Sequence, residues 1–190
     1  LDELNIDLVD GILLDIGASS PQFDDPQRGF SFSNDGPLDM RFDLSGSSVT
    51  AAEIVNTYQF NELIRIFREY GEERYAKFAA QAIVKRREEQ VFERTSDLAT
   101  LLKEKLGSRY IRSSIHPATR VFQALRIEVN QELEHLKQAL PNLITRLKPG
   151  GRIIVISFHS LEDRIVKETF KYAAKDCICP KDFPVCRCDK

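Results

Sequence analysis

Two short apolar runs in this chain end in residues that can hold or accept a proton. Ile12-Leu13-Leu14 stops at Asp15, followed by Gly17, Ala18, Ser19, Ser20 and Pro21. Ile153-Ile154-Val155-Ile156 stops at Ser157-Phe158-His159-Ser160, with Glu162 and Asp163 just beyond. Apolar runs of this length, bounded by Gly or Pro, read as strands buried on both faces. Open α/β folds bind ligands outside the C-terminal ends of parallel strands. Adjacent strands would therefore bring Asp15 and the 157–163 group to one sheet edge. There a carboxylate or hydroxyl can accept a hydrogen bond from a ligand, and small residues let backbone approach it. An ordinary strand-to-loop boundary at Asp15, and a hydrogen-bonded structural histidine at His159, would give the same pattern.

Three other constellations have chemical character. Asp39-Met40-Arg41 is either a structural ion pair or a loop that presents Arg41 to a phosphate. Gln123, Arg126 and Asn130 fall at i, i+3 and i+7 on one helix face, directed into a cleft or forming its solvated side. Cys177, Cys179, Cys186 and Cys188 form C-x-C-x6-C-x-C, which resembles a tetrahedral four-cysteine zinc site, although the usual pairs are C-x2-C. Free thiols are the alternative. No cysteine lies earlier in the chain, so this is not a disulfide-braced secreted scaffold.

The elements that must position these residues are legible in outline. Residues 23–49 form a long loop rich in Asp, Gly, Ser and Pro, in which Phe23, Phe30 and Phe32 favour packing. Thr50 and Glu53 make a capping-box pattern, and Phe60, Leu63, Ile64 and Phe67 continue at helical spacing. A third helix is predicted from about Glu73 to Glu88 with Phe78, Ala82 and Ile83 inward, and Thr95 should cap a fourth carrying Leu98, Leu101, Leu102 and Leu106. A long helix follows Pro117, with Pro141 expected to kink or divide it and Pro149-Gly150-Gly151 to end it. The Lys85-Arg86-Arg87 cluster reads first as a solvated helix face. The order is strand, loop, helical block, long helix, strand, helix. The expected domains are a discontinuous core over 1–45 and 113–175, a helical insertion over 46–112, and a cysteine-rich tail over 176–190.

A net charge of -2 argues against a strong nonspecific nucleic-acid binder, though not against a local basic face. The first 59 residues are strongly acidic, while 60–112 are net basic. No run is long and apolar enough to span a bilayer, so a soluble cytoplasmic protein is the default expectation.

Three segments carry a family resemblance: VDGILLDIGASSPQFDDPQRGFSFSNDGPLDMRFD at 9–43, HPATRVFQALRIEVNQEL at 116–133 and GGRIIVISFHSLEDRIVK at 150–167. They resemble the bacterial S-adenosylmethionine-dependent methyltransferases that modify the N4 amine of a cytidine in 16S ribosomal RNA. The resemblance runs nearly end to end. It implies an α/β fold: a partial Rossmann-like methyltransferase core with few parallel strands and an all-helical inserted domain implicated in RNA recognition. It also implies that the family's glycine-rich cofactor loop lies upstream of Leu1 and its final hairpin beyond Lys190, so that this chain is a fragment.

By that resemblance, Asp15 and Gln22 match cofactor-contacting positions. Methyl transfer from a sulfonium to an amine is an in-line displacement that depends on alignment. Cytosine N4 is a poor nucleophile because its lone pair is delocalised, and Asp15, Ser19 and Ser20 are suited to accept its N–H bonds. His159 could pair with phosphate or orient the base, and Asp39, Arg41, Arg126, Asn130, Ser160 and Asp163 are the candidate substrate contacts. The implied partners are 16S ribosomal RNA and the small ribosomal subunit, with a homodimer left open. An RNA-binding or assembly fragment without catalysis, and an amine methyltransferase acting on DNA or protein, are the competing functions.

Overall fold

The computed structural model describes residues 1–46, 48–179 and 185–188. Its main elements are β1 (Val9–Asp15), α1 (Ser20–Asp24), α2 (Ala51–Thr57), α3 (Phe60–Glu69), α4 (Ala76–Glu89), α5 (Thr95–Leu106), α6 (Thr119–Asn130), α7 (Glu132–Thr145), β2 (Leu147–Ile156) and α8 (Ser160–Ala173). This is the α/β class that the sequence implies, two parallel strands separated by a helical block. The chain divides into two compact units, Leu1–Gly17 with Leu133–Lys190, and Ala18–Glu132. The second unit takes in residues 46–112 together with the Phe-rich loop and α6. Among the described residues no helix is long and apolar enough to cross a membrane.

In the first unit, β1 and β2 pair in parallel from Gly11 opposite Arg152 to Asp15 opposite Ile156. The register shifts between Val9 and Gly11. Pro149-Gly150-Gly151 lies in that irregular stretch of β2 and does not end a helix, because α7 has already stopped at Thr145. Gly150 takes a φ of +83°, a conformation that glycine reaches at no steric cost. Neither strand is buried on both faces. Ile12, Leu14, Ile153 and Val155 are half-buried, whereas Leu13, Ile154 and Ile156 are exposed, Leu13 by 66%. A sheet of two strands covers one face at most, so the continuous apolar runs overstate the burial.

The second unit holds the main hydrophobic core. Thr50 and Glu53 close the capping box on α2: Thr50 N–H donates to Glu53 Oε2 at 2.7 Å, and Glu53 N–H to Thr50 Oγ1 at 3.1 Å. Leu63, Ile66 and Phe67 of α3, Leu98, Leu102 and Leu106 of α5, and Val121 and Leu125 of α6 are fully buried. Each such Leu or Ile contributes about 1.5–3 kcal/mol. Helix α4 starts at Ala76 and turns Ala76, Ala79, Ala80 and Ile83 inward. Phe78, expected inside, is 49% exposed, with the Arg109 guanidinium 4.2 Å above its ring. Three alanines on the buried face let neighbouring helices approach, leaving no room there for a phenyl ring. The basic cluster divides as well. Arg87 Nη1 donates to the carbonyls of Val55 and Tyr58 at 2.9 and 2.8 Å, satisfying the end of α2, so it is not merely solvated.

The long helix is interrupted at Gln131, not at Pro141. Gln131 adopts a left-handed φ of +49° between α6 and α7, and Pro141 sits inside α7. Just before the break, the last residue of α6, Asn130, sends its amide to a distant loop, as described below. That loop is packed, as its aromatics suggest. Phe30 is buried and stacks on Phe42 with centroids 5.4 Å apart, and Phe32 meets Phe122 edge-on at 5.1 Å.

Candidate active site at the parallel strand ends

Parallel pairing carries both polar strand ends to the same end of the sheet. Asp15 lies opposite Ile156, and the ladder extends one step further through Ile16 N–H to Ile156 O at 3.2 Å. Ser157, Phe158 and His159 follow immediately, then α8. Asp15 is exposed and makes no side-chain hydrogen bond among the described residues. Gly17 has a φ of +110°, and a Cβ there would meet the Phe158 ring at 3.1 Å, so a larger residue would be both strained and crowded.

His159 is the N-cap of α8, and its orientation depends on Glu162, to which the strand-end pattern assigns no role. Glu162 is 2% exposed. Its Oε2 accepts the N–H of Phe158 at 2.9 Å and of His159 at 3.3 Å, and its Oε1 lies 3.2 Å from His159 Nε2. The Glu162 N–H returns to His159 Nδ1 at 3.5 Å. Burial pushes the Glu162 carboxyl up, but the His159 contact and the Phe158 N–H outweigh it and hold the group below its ordinary range. The signal was present in the sequence, since His-Ser-Leu-Glu places a carboxylate at N3, where a capping box needs it. Asp163, one position on, faces Lys167 at 2.8 Å as an exposed i, i+4 pair. Ser160 is the first residue of α8.

In the second unit, Ser19 caps α1, and its N–H donates to Gln22 Oε1 at 2.8 Å. Ser20 opens the helix and is exposed. Asp39 and Arg41 form a bidentate pair, Nε to Oδ1 at 2.9 Å and Nη2 to Oδ2 at 2.8 Å, across a left-handed Met40 with φ +67°. Burial raises the Asp39 carboxyl, and the Arg41 bonds more than reverse it, leaving it below the usual range. Asn130 spans this turn: its Oδ1 accepts Phe42 N–H at 2.7 Å, and its Nδ2 donates to Met40 O at 2.8 Å and Arg126 O at 2.9 Å. Arg28, which no motif singled out, donates through Nη2 to the carbonyls of Arg41 and Phe42 at 2.8 and 2.9 Å. Arg126 pairs with Glu132 at 2.8 and 3.0 Å, and Gln123 Nε2 reaches Tyr70 O at 3.0 Å. The face 123/126/130 therefore fastens α6 to its surroundings.

A groove of about 770 Å³ lies along α4 and α5, lined by Phe78, Lys85, Arg86, Lys105 and Arg109, with Glu89, Asp97 and Glu104 among the acids. In the tail, the four cysteine sulfurs lie within 4.8 Å of one another. Cys188 is pulled down to about 6, chiefly by the Ile178 N–H and then by Cys186.

Against known proteins, this chain matches the MraW methylase family over residues 1–190. It is 57% identical to "Ribosomal RNA small subunit methyltransferase H" of Carboxydothermus hydrogenoformans, over 98% of this chain and 60% of that protein. The proteins of the same name from Halothermothrix orenii and Syntrophotalea carbinolica are 52% and 54% identical, each over 100% of this chain and 60% of the relative. The chain thus spans about 60% of the length of these curated relatives. Matched from its first residue to its last, with its two strand-end segments intact, the chain belongs to the MraW methylase family.

Proposed function

We propose that this chain is the central and C-proximal part of an S-adenosylmethionine-dependent methyltransferase that modifies the N4 amine of a cytidine in 16S ribosomal RNA. The end-to-end family match carries the reading, because the relatives are named for methylating ribosomal RNA of the small subunit. The convergence of Asp15 and His159 at one sheet end supports it.

The chemistry of that end fits a polar cofactor. An exposed carboxylate next to a left-handed glycine can accept from hydroxyl or amino groups while backbone comes close. When bound, the cofactor supplies an electrophilic methyl group. Asp15 accepts N–H bonds from the target amine and so favours the pyramidal nitrogen that can attack. His159, with both ring nitrogens turned toward Glu162, holds the turn beside that amine in place. In the separate helical unit, the 46–112 block recognises RNA. The groove along α4 and α5 supports this, with lysine and arginine for phosphate and exposed Phe78 for a base to stack on. A ribosomal RNA substrate supports a cytoplasmic location, where small ribosomal subunits assemble. For the tail, the proposed ligand is zinc, supported by the four clustered sulfurs.

The test is methyl-label incorporation by the complete protein into ribosomal RNA, DNA and protein, with the modified nucleoside identified by mass spectrometry. N4-methylcytidine in 16S RNA is expected. Label in DNA or protein alone would overturn the substrate. RNA binding without any transfer would favour a non-catalytic assembly role.

A further inference from the structure

The tail cysteines are arranged as two matching arms, Cys177-Ile178-Cys179 and Cys186-Arg187-Cys188. Each arm gives the backbone N–H of its middle residue to the last sulfur of the other. Ile178 N–H donates to Cys188 Sγ at 3.4 Å, and Arg187 N–H donates to Cys179 Sγ at 3.2 Å. A third donor acts within one arm, from Cys179 N–H to Cys177 Sγ at 3.4 Å. The sulfurs are spaced for a shared ion and not for a disulfide. Cys186 and Cys188 are 3.4 Å apart and Cys188 and Cys177 3.7 Å. A disulfide needs about 2.05 Å. A tetrahedron of thiolates each about 2.3 Å from zinc puts its sulfurs about 3.8 Å apart.

We propose that this tail is a closed, structural four-thiolate zinc site in which the two Cys-x-Cys arms are cross-braced by their middle N–H groups. The inference deepens, and rests on, the reading of the tail as zinc-binding. It accounts for the unusual spacing. With one residue between the cysteines, the intervening N–H is directed across the site to the partner arm. Those N–H donors spread the negative charge that four thiolates leave on a divalent ion. With all four positions taken by sulfur, the site keeps no opening for water or substrate, so its role is to fold the tail and not to catalyse.

Zinc content of the 190-residue chain, the absorption of its cobalt(II) form, and zinc affinities of tail variants together test the proposal. One zinc per chain and the intense bands of tetrahedral four-sulfur cobalt are expected. Arg187→Pro, which removes a bracing N–H, should weaken zinc binding about 10–100-fold, whereas Arg187→Ala, which keeps it, should stay within about twofold. Because proline also changes the backbone, the unsubstituted chain is to be loaded with NMR-active cadmium. The Ile178 and Arg187 amide protons should then couple to the metal through sulfur. If the chain binds no stoichiometric zinc and all four thiols stay reactive in its presence, the zinc reading itself fails. If zinc binds but cobalt is five- or six-coordinate, the site is open. If zinc binds and neither amide couples to cadmium, the arms are not cross-braced. Either of these last results overturns the inference while leaving zinc binding intact.

Discussion

Glu162→Ala removes the carboxylate on which the turn after β2 closes. Its Oε2 holds one well-formed bond to Phe158 N–H at 2.9 Å and a longer one to His159 N–H at 3.3 Å, in a site where Glu162 is 2% exposed. A hydrogen bond to a charged group contributes about 1.5–3 kcal/mol, and a buried N–H left without a partner costs a similar amount. Counting the longer bond at less than the shorter, the loss should be about 2–4 kcal/mol. Because the chain has two compact units, one global unfolding energy would blur this local effect. Amide exchange at Phe158 and His159 is the direct readout, and about 3 kcal/mol corresponds to roughly 10²-fold faster exchange. Glu162→Gln keeps an acceptor oxygen and should fall between wild type and Ala. The pH dependence has a definite sign. The folded carboxyl lies below its ordinary value of 4.5, so its contribution is complete above that value and is lost as pH falls through the folded value. Protection of the two amides should therefore drop in acid in the wild type and not in Glu162→Gln. Unchanged exchange in Glu162→Ala, or equal acid loss in Glu162→Gln, would refute the role assigned to this carboxylate.

Asp15→Ala in the complete enzyme should cost about 10²–10³ in methyl-transfer rate at unchanged melting temperature, since an exposed strand-end side chain adds little packing. The control Asp24→Ala, an exposed acid in α1, should stay near wild type, and full activity in Asp15→Ala would reduce Asp15 to a strand terminator. Asn130→Ala should destabilise the helical unit by about 2–4 kcal/mol in urea unfolding, because it strands Phe42 N–H and Met40 O together. A shift under about 0.5 kcal/mol would show that the 40–42 turn holds without it.

Much of the strand-end region was legible because its signals are local. An apolar run that stops at a polar residue marks its own end, and Thr50 with Glu53 announces a helix start within four positions. The same locality explains the errors. Helical spacing shows which residues share a face but not which face is buried, and hydrophobicity alone points Phe78 the wrong way. Proline is the strongest local breaker, yet α7 runs through the exposed Pro141, held by Leu133, Leu136 and Leu140 buried on its preceding turns.

Sequence alone was enough for the α/β class, the positions of the two strand ends, the Thr50 helix start, the pairing of cysteines in two arms, and the family, but not for the start of α5, whose N-cap is Arg94, one residue before the expected Thr95, because the Thr95 hydroxyl is taken by Gly36 N–H. The tertiary structure decided what the polar residues do. Asp39 and Arg41 answer each other, and Asn130, still bonded to Arg126 O in its own helix, also binds a turn 88 and 90 residues earlier in the chain. Arg87 satisfies carbonyls 32 and 29 positions away. The physical reason is that a buried donor or acceptor must find some partner, while its chemical type does not specify which one. For partners remote in sequence, that choice is made by whichever backbone the fold brings within about 3 Å, whereas the spacing of a motif encodes only near neighbours such as Thr50 and Glu53.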